Sequence, residues 1–220
     1  MGHPYWPLFD LEVRTPRLTL RYVDDDLAIE LAALAARGIH DPATMPFCRP
    51  WTDVPSPELE RNSLRFWWRS RAELTTSRWE LTFAVLEGGD GDRLGRVLGG
   101  TGLSADDFPT LRSFETGSWL GLEHQGRGLG RELREATLHL GFDVLGAEFA
   151  TTTAFVDNAP SLGVTRGLGY EPDGTHRVVR RGEPAELLRF RMPRAHWETI
   201  RRADITVHGA DAVPPFLGLA

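Results

Sequence analysis

Six consecutive residues, Gln125-Gly126-Arg127-Gly128-Leu129-Gly130, are placed to bind an anion. Glycine has no Cβ, so a ligand can approach its backbone closely and φ can be positive. Directly after these glycines, apolar residues recur at Leu129, Leu133, Ala136, Leu140 and Val144, with a second row at Leu138, Phe142 and Leu145. That spacing is one broad buried face of an amphipathic helix, with Arg131, Glu132, Arg134, Glu135 and Asp143 on the other side. Amides at the start of a helix lack intrahelical partners and sit at the positive end of its dipole. With Arg127 beside them they form a cradle for phosphate groups. The dinucleotide fingerprint fits poorly, because it asks for Gly or Ala where Arg131 stands, and the P-loop fails for want of Gly-Lys-Ser/Thr. The competing view is a glycine turn that only starts a helix.

Other residues with chemical capacity flank this stretch. Glu115 lies on the strand expected over 114–120, which feeds the glycine turn, and a carboxylate there can serve as a general base. A further strand is expected over 149–156, followed by Asn158 as N-cap, Pro160 in the first turn and Ser161 at the head of a short helix. Each has a plainer alternative: Glu115 as an exposed strand residue, Asn158 and Ser161 as helix-start residues.

The elements that must position these groups follow in order. Residues 1–10 read as a surface arm and 17–22 as a first strand. Asp24, Asp25 and Asp26 cap a helix through Leu27, Leu31, Leu34 and Ala35 that Gly38 stops. A loop rich in proline and aromatics covers 40–57, and a second helix starts at Pro57-Glu58. Strands are expected over 79–86 and 97–104, joined by the turn Gly88-Gly89-Asp90-Gly91-Asp92. A hairpin turns at Arg181-Gly182-Glu183-Pro184, and Trp197 sits in a last helical segment before a tail.

Four segments in this order resemble one family. Gln125-Gly126-Arg127-Gly128-Leu129-Gly130 is similar to the Q/R-x-x-G-x-G/A pyrophosphate loop of the GNAT superfamily of acyl-CoA-dependent N-acetyltransferases. Thr15-Pro16-Arg17-Leu18-Thr19-Leu20-Arg21 looks like the opening of its RimJ/RimL-like branch. Asn158 to Tyr170 is similar to the N-x-x-S…G-(F/Y) segment, and Arg191 to Trp197 resembles the branch's closing strand. The resemblance implies an α/β fold with a mixed central sheet of about seven strands, splayed between two parallel strands and flanked by helices. It implies a single domain over 1–220, with an arm (1–14) and a tail (198–220). Acetyl-CoA is the implied co-substrate, without a metal. Its pantetheine arm would pair with backbone groups of Trp119, Leu120 and Leu122. Its pyrophosphate would rest on the amides from Gln125 to Gly130. Asn158 would bond the pantetheine, and Arg166 would meet the nucleotide phosphate or stay a solvated charge. Glu115 would be the base and Ser161 the group that hydrogen-bonds the leaving thiolate. The segment joining the first two helices would line the acceptor site, with Phe47 and Trp51 as apolar walls and Arg49 and Asp53 as orienting groups. The loop's other role is purely structural.

Composition narrows the partners. A net charge of −6 gives no basic footprint for nucleic acid and is compatible with a cationic amine substrate. All 25 Lys+Arg residues are Arg, which removes lysine Schiff-base chemistry and self-acetylation on lysine. The single cysteine, Cys48, excludes an internal disulfide and a multi-cysteine metal site. No apolar run approaches bilayer length, so the expectation is a cytoplasmic enzyme without a membrane partner. It would act on a small-molecule or peptide amine, and a homodimer stays open. The rival function is a non-catalytic acyl-CoA-binding module.

Overall fold

The computed structural model describes residues 2–88 and 95–219. Their strands are β1 (Glu12–Arg14), β2 (Leu18–Tyr22), β3 (Arg78–Glu87), β4 (Val97–Asp106), β5 (Ser113–Leu120), β6 (Phe149–Phe155), β7 (Glu171–Arg180), β8 (Glu183–Pro193) and β9 (Thr206–His208). They form one nine-stranded sheet in the order β7-β8-β6-β5-β4-β3-β2-β1-β9, and only β5 and β6 run parallel. Alternation makes the strands: β2 buries Leu18, Leu20 and Tyr22 and half-exposes Thr19 and Arg21. Helices α1 (Asp25–Ala36) and α2 (Glu58–Ala72) cover one face, where Leu27, Leu31, Leu34 and Trp67 pack with Ala84, Leu86 and Val97. Asp24 caps α1 by accepting the Leu27 N–H at 2.8 Å, and Gly38 ends it at φ +108°. On the other face lies α4 (Leu129–His139), continued by a π-turn (Leu140–Val144), with Leu133, Ala136, Leu138, Leu140 and Phe142 no more than 1% exposed. Shorter helices are α3 (Phe108–Leu111), α5 (Ala159–Gly167), α6 (Arg194–Ile200) and α7 (Val213–Phe216).

Three expectations need correction. The sheet has nine strands rather than seven, because β1 pairs with β2 and β9 extends the sheet beyond β1. Strands of three residues carry too little alternation to read. Next, the N-terminal arm is not confined to the surface: Leu8, Leu11 and Val13 are at most 1% exposed, and in the tail Val213 and Leu217 are equally buried. Last, most of the polar side of α4 is covered: Glu132, Arg134 and Glu135 are 3%, 5% and 6% exposed, and Arg131 is the exposed member of that row. Of the expected turn 88–92, Gly88 donates its N–H to the Arg17 carbonyl at 2.7 Å, and Gly89 to Asp92 lie outside the described residues.

Candidate donor site and acceptor cleft

The parallel strands β5 and β6 pair only at Ser113↔Phe149, Phe114↔Ala150 and Glu115↔Thr151. Past that point β5 continues to Leu120, still paired with β4 on its other edge through Gly99↔Leu120. The edge of β5 that faces β6 is therefore open over residues 116–120. Peptide groups alternate along a strand. The carbonyls of Phe114 and Thr116 turn toward β6, where the hydroxyls of Thr151 and Thr152 reach them at 3.2 and 3.1 Å. The Gly117 carbonyl turns to β4, accepting from the Thr101 hydroxyl at 3.1 Å. Trp119 also faces β4, since a Cβ on Gly99 would stand 2.1 Å from its carbonyl oxygen. Of the backbone groups expected to meet an inserted arm, the Trp119 carbonyl is thus turned to β4; the groups turned to the open edge are those of Ser118 and the N–H of Leu120, whose carbonyl is taken by Gln125. Leu122 is engaged as well, donating its N–H to the Gly38 carbonyl at 3.2 Å.

The open edge leads into the glycine turn. Gly126 and Gly128 both adopt φ +72°, and a Cβ on Gly126 would meet nothing within 4 Å, so the backbone lies open to a ligand. Gly128 is the N-cap of α4 and has no capping side chain. The first-turn amides therefore keep free hydrogen-bonding capacity beside the positive end of the dipole. One expected donor is spent, because Gln125 gives its N–H to the Leu122 carbonyl at 3.3 Å. Its side-chain amide instead bonds the carbonyls of Ile39 and Leu120, both at 2.8 Å, tying the turn to the end of the α1 loop. Arg17 braces the turn from below, donating to the carbonyls of Arg127 at 3.1 Å and Gly128 at 3.4 Å. Its Nε meets buried Glu132 at 2.6 Å, and the Thr15 hydroxyl reaches the same carboxylate at 2.6 Å. A phosphate-bearing acyl carrier fits this donor set: amides outward, carbonyls engaged behind.

Asn158 caps α5 by accepting the Ser161 N–H at 3.2 Å. The Ser161 hydroxyl, on a half-buried residue, makes no side-chain hydrogen bond among the described residues. The N-terminal turn of α4 and the C-terminal end of α5 are joined by Arg131, whose Nη1 donates to the Gly167 carbonyl at 2.9 Å. Arg166 is exposed at that same end. Glu115 and Ser161 are not in contact; Glu115 stands at the vertex of the opening, Ser161 beyond the end of β6.

On the α2 side of the sheet a cavity of about 400 Å³ is lined by Glu80, Ser104, Glu115, Thr151 and Asp106 among others. Glu115 accepts from the Thr153 hydroxyl at 3.2 Å. Glu80, which sequence patterning did not single out, aligns with Ser104, which aligns with Glu115 across neighbouring strands. Burial pushes the Glu80 carboxyl up, against the lowering charges of Arg49, Arg69 and Arg78. Burial and the Glu115 charge also push the Cys48 thiol up, so it is poorly suited as a nucleophile. No residue of the loop over 40–57, including Phe47, Arg49, Trp51 and Asp53, lines this cavity; the loop packs instead on Ala35, Ile39 and Leu59 through Phe47 and Trp51. Phe47 and Trp51 are half-buried, packed 5.3 Å apart, and Trp51 continues to Trp119 at 6.0 Å. Asp53 is not a free orienting group: Arg181 at the hairpin tip donates to it at 2.7 Å and holds its carboxyl below the usual range. Both turn residues of that hairpin, Arg181 and Gly182, have positive φ (+50° and +85°). Arg49, by contrast, is exposed and free of such a partner among the described residues. No group of three or more His, Cys, Asp or Glu among the described residues is placed to hold a metal ion. No described helix is long and apolar enough to cross a membrane.

An interrupted parallel pair that ends in a helix-capping glycine turn offers an open strand edge beside an anion site, which suits a phosphate-bearing acyl carrier. The chain belongs to the Acetyltransferase (GNAT) domain family, which it matches over residues 17–171. It is an acetyl-CoA-dependent N-acetyltransferase. Solved structures share the fold at low identity. A GNAT-family acetyltransferase from Bacillus anthracis is 15% identical with a TM-score of 0.64, covering 84% of this chain and 99% of its own. A Vibrio cholerae structure assigned as a ribosomal-protein-serine acetyltransferase is 18% identical with a TM-score of 0.62, covering 88% and 99%. A spermidine N-acetyltransferase chimera from Vibrio cholerae is 19% identical with a TM-score of 0.61, covering 82% and 98%.

Proposed function

We propose that the protein, a cytoplasmic enzyme of the RimJ/RimL-like branch, acetylates a primary amine by direct attack within a ternary complex. The observation that carries this is the two-sided opening at the vertex of β5 and β6: an open strand edge leading to the glycine turn on one side, and the Glu115 cavity on the other. The acyl donor enters along the edge and the amine through the cavity. An amine must be neutral to attack. At pH 7 deprotonation costs about 4–5 kcal/mol for a lysine-like amine and about 1–1.5 for an α-amine. Glu115 takes the proton, directly or through one water. The amine nitrogen bonds to the carbonyl carbon, the C–S bond breaks, and the electron pair leaves with sulfur. Ser161 hydrogen-bonds that thiolate, which ends as the free thiol of CoA after protonation. The cavity's carboxylates favour a cationic or N-terminal amine. Neighbours named for a protein acceptor and for spermidine resemble this chain to the same extent, so the fold alone does not choose between them.

The test is incubation with acetyl-CoA and a panel of polyamines, amino sugars and peptide N-termini, following thiol release and product mass together. An acetylated amine with matching thiol release is the expected result. Tight CoA binding without thiol release for any amine would establish the non-catalytic module instead.

A further inference from the structure

We infer that Arg134 places a fixed positive charge at the vertex of the β5–β6 opening and stabilises the departing thiolate, acting as a positioning residue. This rests on the reading above, that the acyl donor lies along the open edge of β5.

Arg134 is 5% exposed, in the middle of α4. Its Nη1 donates to the Thr152 hydroxyl at 3.1 Å, and that hydroxyl donates to the Thr116 carbonyl at 3.1 Å. Thr116 and Thr152 form the first rung past Glu115↔Thr151, the last paired rung, and are 3% and 1% exposed. The guanidinium thus sits behind the point where the strands part. The acidic residues of its own helix are committed elsewhere. Glu132 is held by Thr15 and Arg17, and Glu135 by Arg131 and Arg202 at 3.0 Å each. No carboxylate pairs with Arg134 among the described residues. The other polar group facing it is the Tyr170 phenol. Burial pushes that phenol up, the Arg134 charge and Thr116 hydroxyl oppose this, and it makes no well-formed hydrogen bond. Tyr170 therefore stays neutral and supplies no counter-charge.

An unpaired guanidinium in the interior is costly, and an apolar side chain would fill the same place without that cost. An anion that forms only during reaction explains it. From Leu120 back to Thr116 is four residues of strand, about 14 Å. An arm held by its phosphates at 125–130 and laid along β5 therefore brings its sulfur end toward the Thr116 rung. When the C–S bond breaks, the electron pair and the charge stay on sulfur, within the field of Arg134. The arginine transfers no proton.

The experiment titrates the thiol of bound CoA by thiolate ultraviolet absorbance in wild type, Arg134→Gln, Arg134→Met and Arg134→Lys, with thermal melts alongside. Arg134→Gln keeps a donor for Thr152 and removes the charge. We expect the bound thiol to ionise on the order of tenfold less readily in Arg134→Gln and Arg134→Met, and to stay near wild type in Arg134→Lys. The kcat should fall by about tenfold in the neutral variants while the KM for acetyl-CoA changes by less than about threefold. Unchanged thiol ionisation in folded Arg134→Gln overturns the inference. So does an equal loss in Thr152→Val, which keeps the charge and breaks only the bridge; this control also decides the matter if the neutral variants do not fold. Failure of wild type to bind CoA in calorimetry marks a different failure, that of the donor-site reading itself.

Discussion

Replacing Arg17 with Met removes the brace beneath the glycine turn, and the expected cost can be worked from its partners. Glu132, 3% exposed, accepts from the Thr15 hydroxyl at 2.6 Å, the Arg17 N–H at 3.0 Å and the Arg17 Nε at 2.6 Å. Only the last is lost, together with the two bonds to the turn carbonyls. Breaking a fully buried ion pair costs about 3–5 kcal/mol. The Arg17 side chain is 49% exposed, and two of the three bonds to the carboxylate survive, so about 2 kcal/mol is the better figure. At this chain length that lowers the Tm by roughly 4–8 °C. The pH dependence gives an independent readout. Burial alone would push the Glu132 carboxyl up, but bonds from Thr15 and Arg17 outweigh it and leave it below the ordinary value. A carboxyl lowered by folding stabilises fully above its unfolded value, about 4.3, and that contribution is lost as pH falls through the folded value. Removing Arg17 reduces the lowering, so the gap between wild type and Arg17→Met should hold from pH 7 to about 4.3 and narrow as pH falls further toward the folded value. Urea unfolding across that range, with Glu132→Gln in a double-mutant cycle, measures both effects; a coupling of about 1 kcal/mol or more is expected. A gap below about 0.5 kcal/mol at pH 7, or one that does not narrow once the pH falls well below about 4, would refute the brace.

At Gly130 an added Cβ would meet only Val164 at 3.7 Å, so Gly130→Glu should keep the melting temperature near wild type while CoA affinity drops by about tenfold or more, as calorimetry would show. Glu115→Gln should lower kcat by about 10²–10⁴ with the KM for acetyl-CoA little changed, as steady-state kinetics would show. In Ser161→Ala the lost hydrogen bond to developing charge, about 2–4 kcal/mol, should appear in kcat rather than in the KM for acetyl-CoA. Asp53→Ala releases the hairpin tip from the acceptor loop, and steady-state kinetics should show a higher acceptor KM with CoA affinity unchanged.

Much of the donor side could be read from the chain because its signals are local. Glycines followed at once by a helical apolar stripe, and an Asp-rich cap before Leu27, depend on neighbours within a few residues. The polar side of α4 misled for the opposite reason. Glu132, Arg134 and Glu135 are buried by partners 117, 18 and 67 positions away, namely Thr15, Thr152 and Arg202. Helical periodicity cannot report such distant cover. The same holds for Glu80, which joins Glu115 only through strand register, and for Asp53, whose partner Arg181 lies on a distant hairpin. Backbone direction was equally hidden. Which β5 peptide groups face the opening follows from register with β4, and it turns the Trp119 carbonyl away from the opening and Ser118 toward it.

The acceptor loop looks separable from the donor turn along the sequence, but three links make them one body. The loop's start is fixed to the turn by the Gln125 amide on the Ile39 carbonyl at 2.8 Å and by the Leu122 N–H on the Gly38 carbonyl at 3.2 Å. Its middle is fixed by Trp51 packed 6.0 Å from Trp119, on the strand whose other edge the acyl donor would use. Trp119 in turn depends on Gly100, where a Cβ would stand 3.1 Å from its indole nitrogen. Half-buried aromatics in such a ladder carry both packing and shape. Trp51→Ala should therefore cost less than the about 3–5 kcal/mol of a fully buried tryptophan. It should also raise the acceptor KM and, through Trp119, weaken CoA modestly. A loop that only selected the amine would leave CoA affinity untouched. A purely structural one would leave the ranking of amines unchanged. A titration of CoA and an amine panel on the same folded variant distinguish all three, because only the ladder couples both readouts to one side chain.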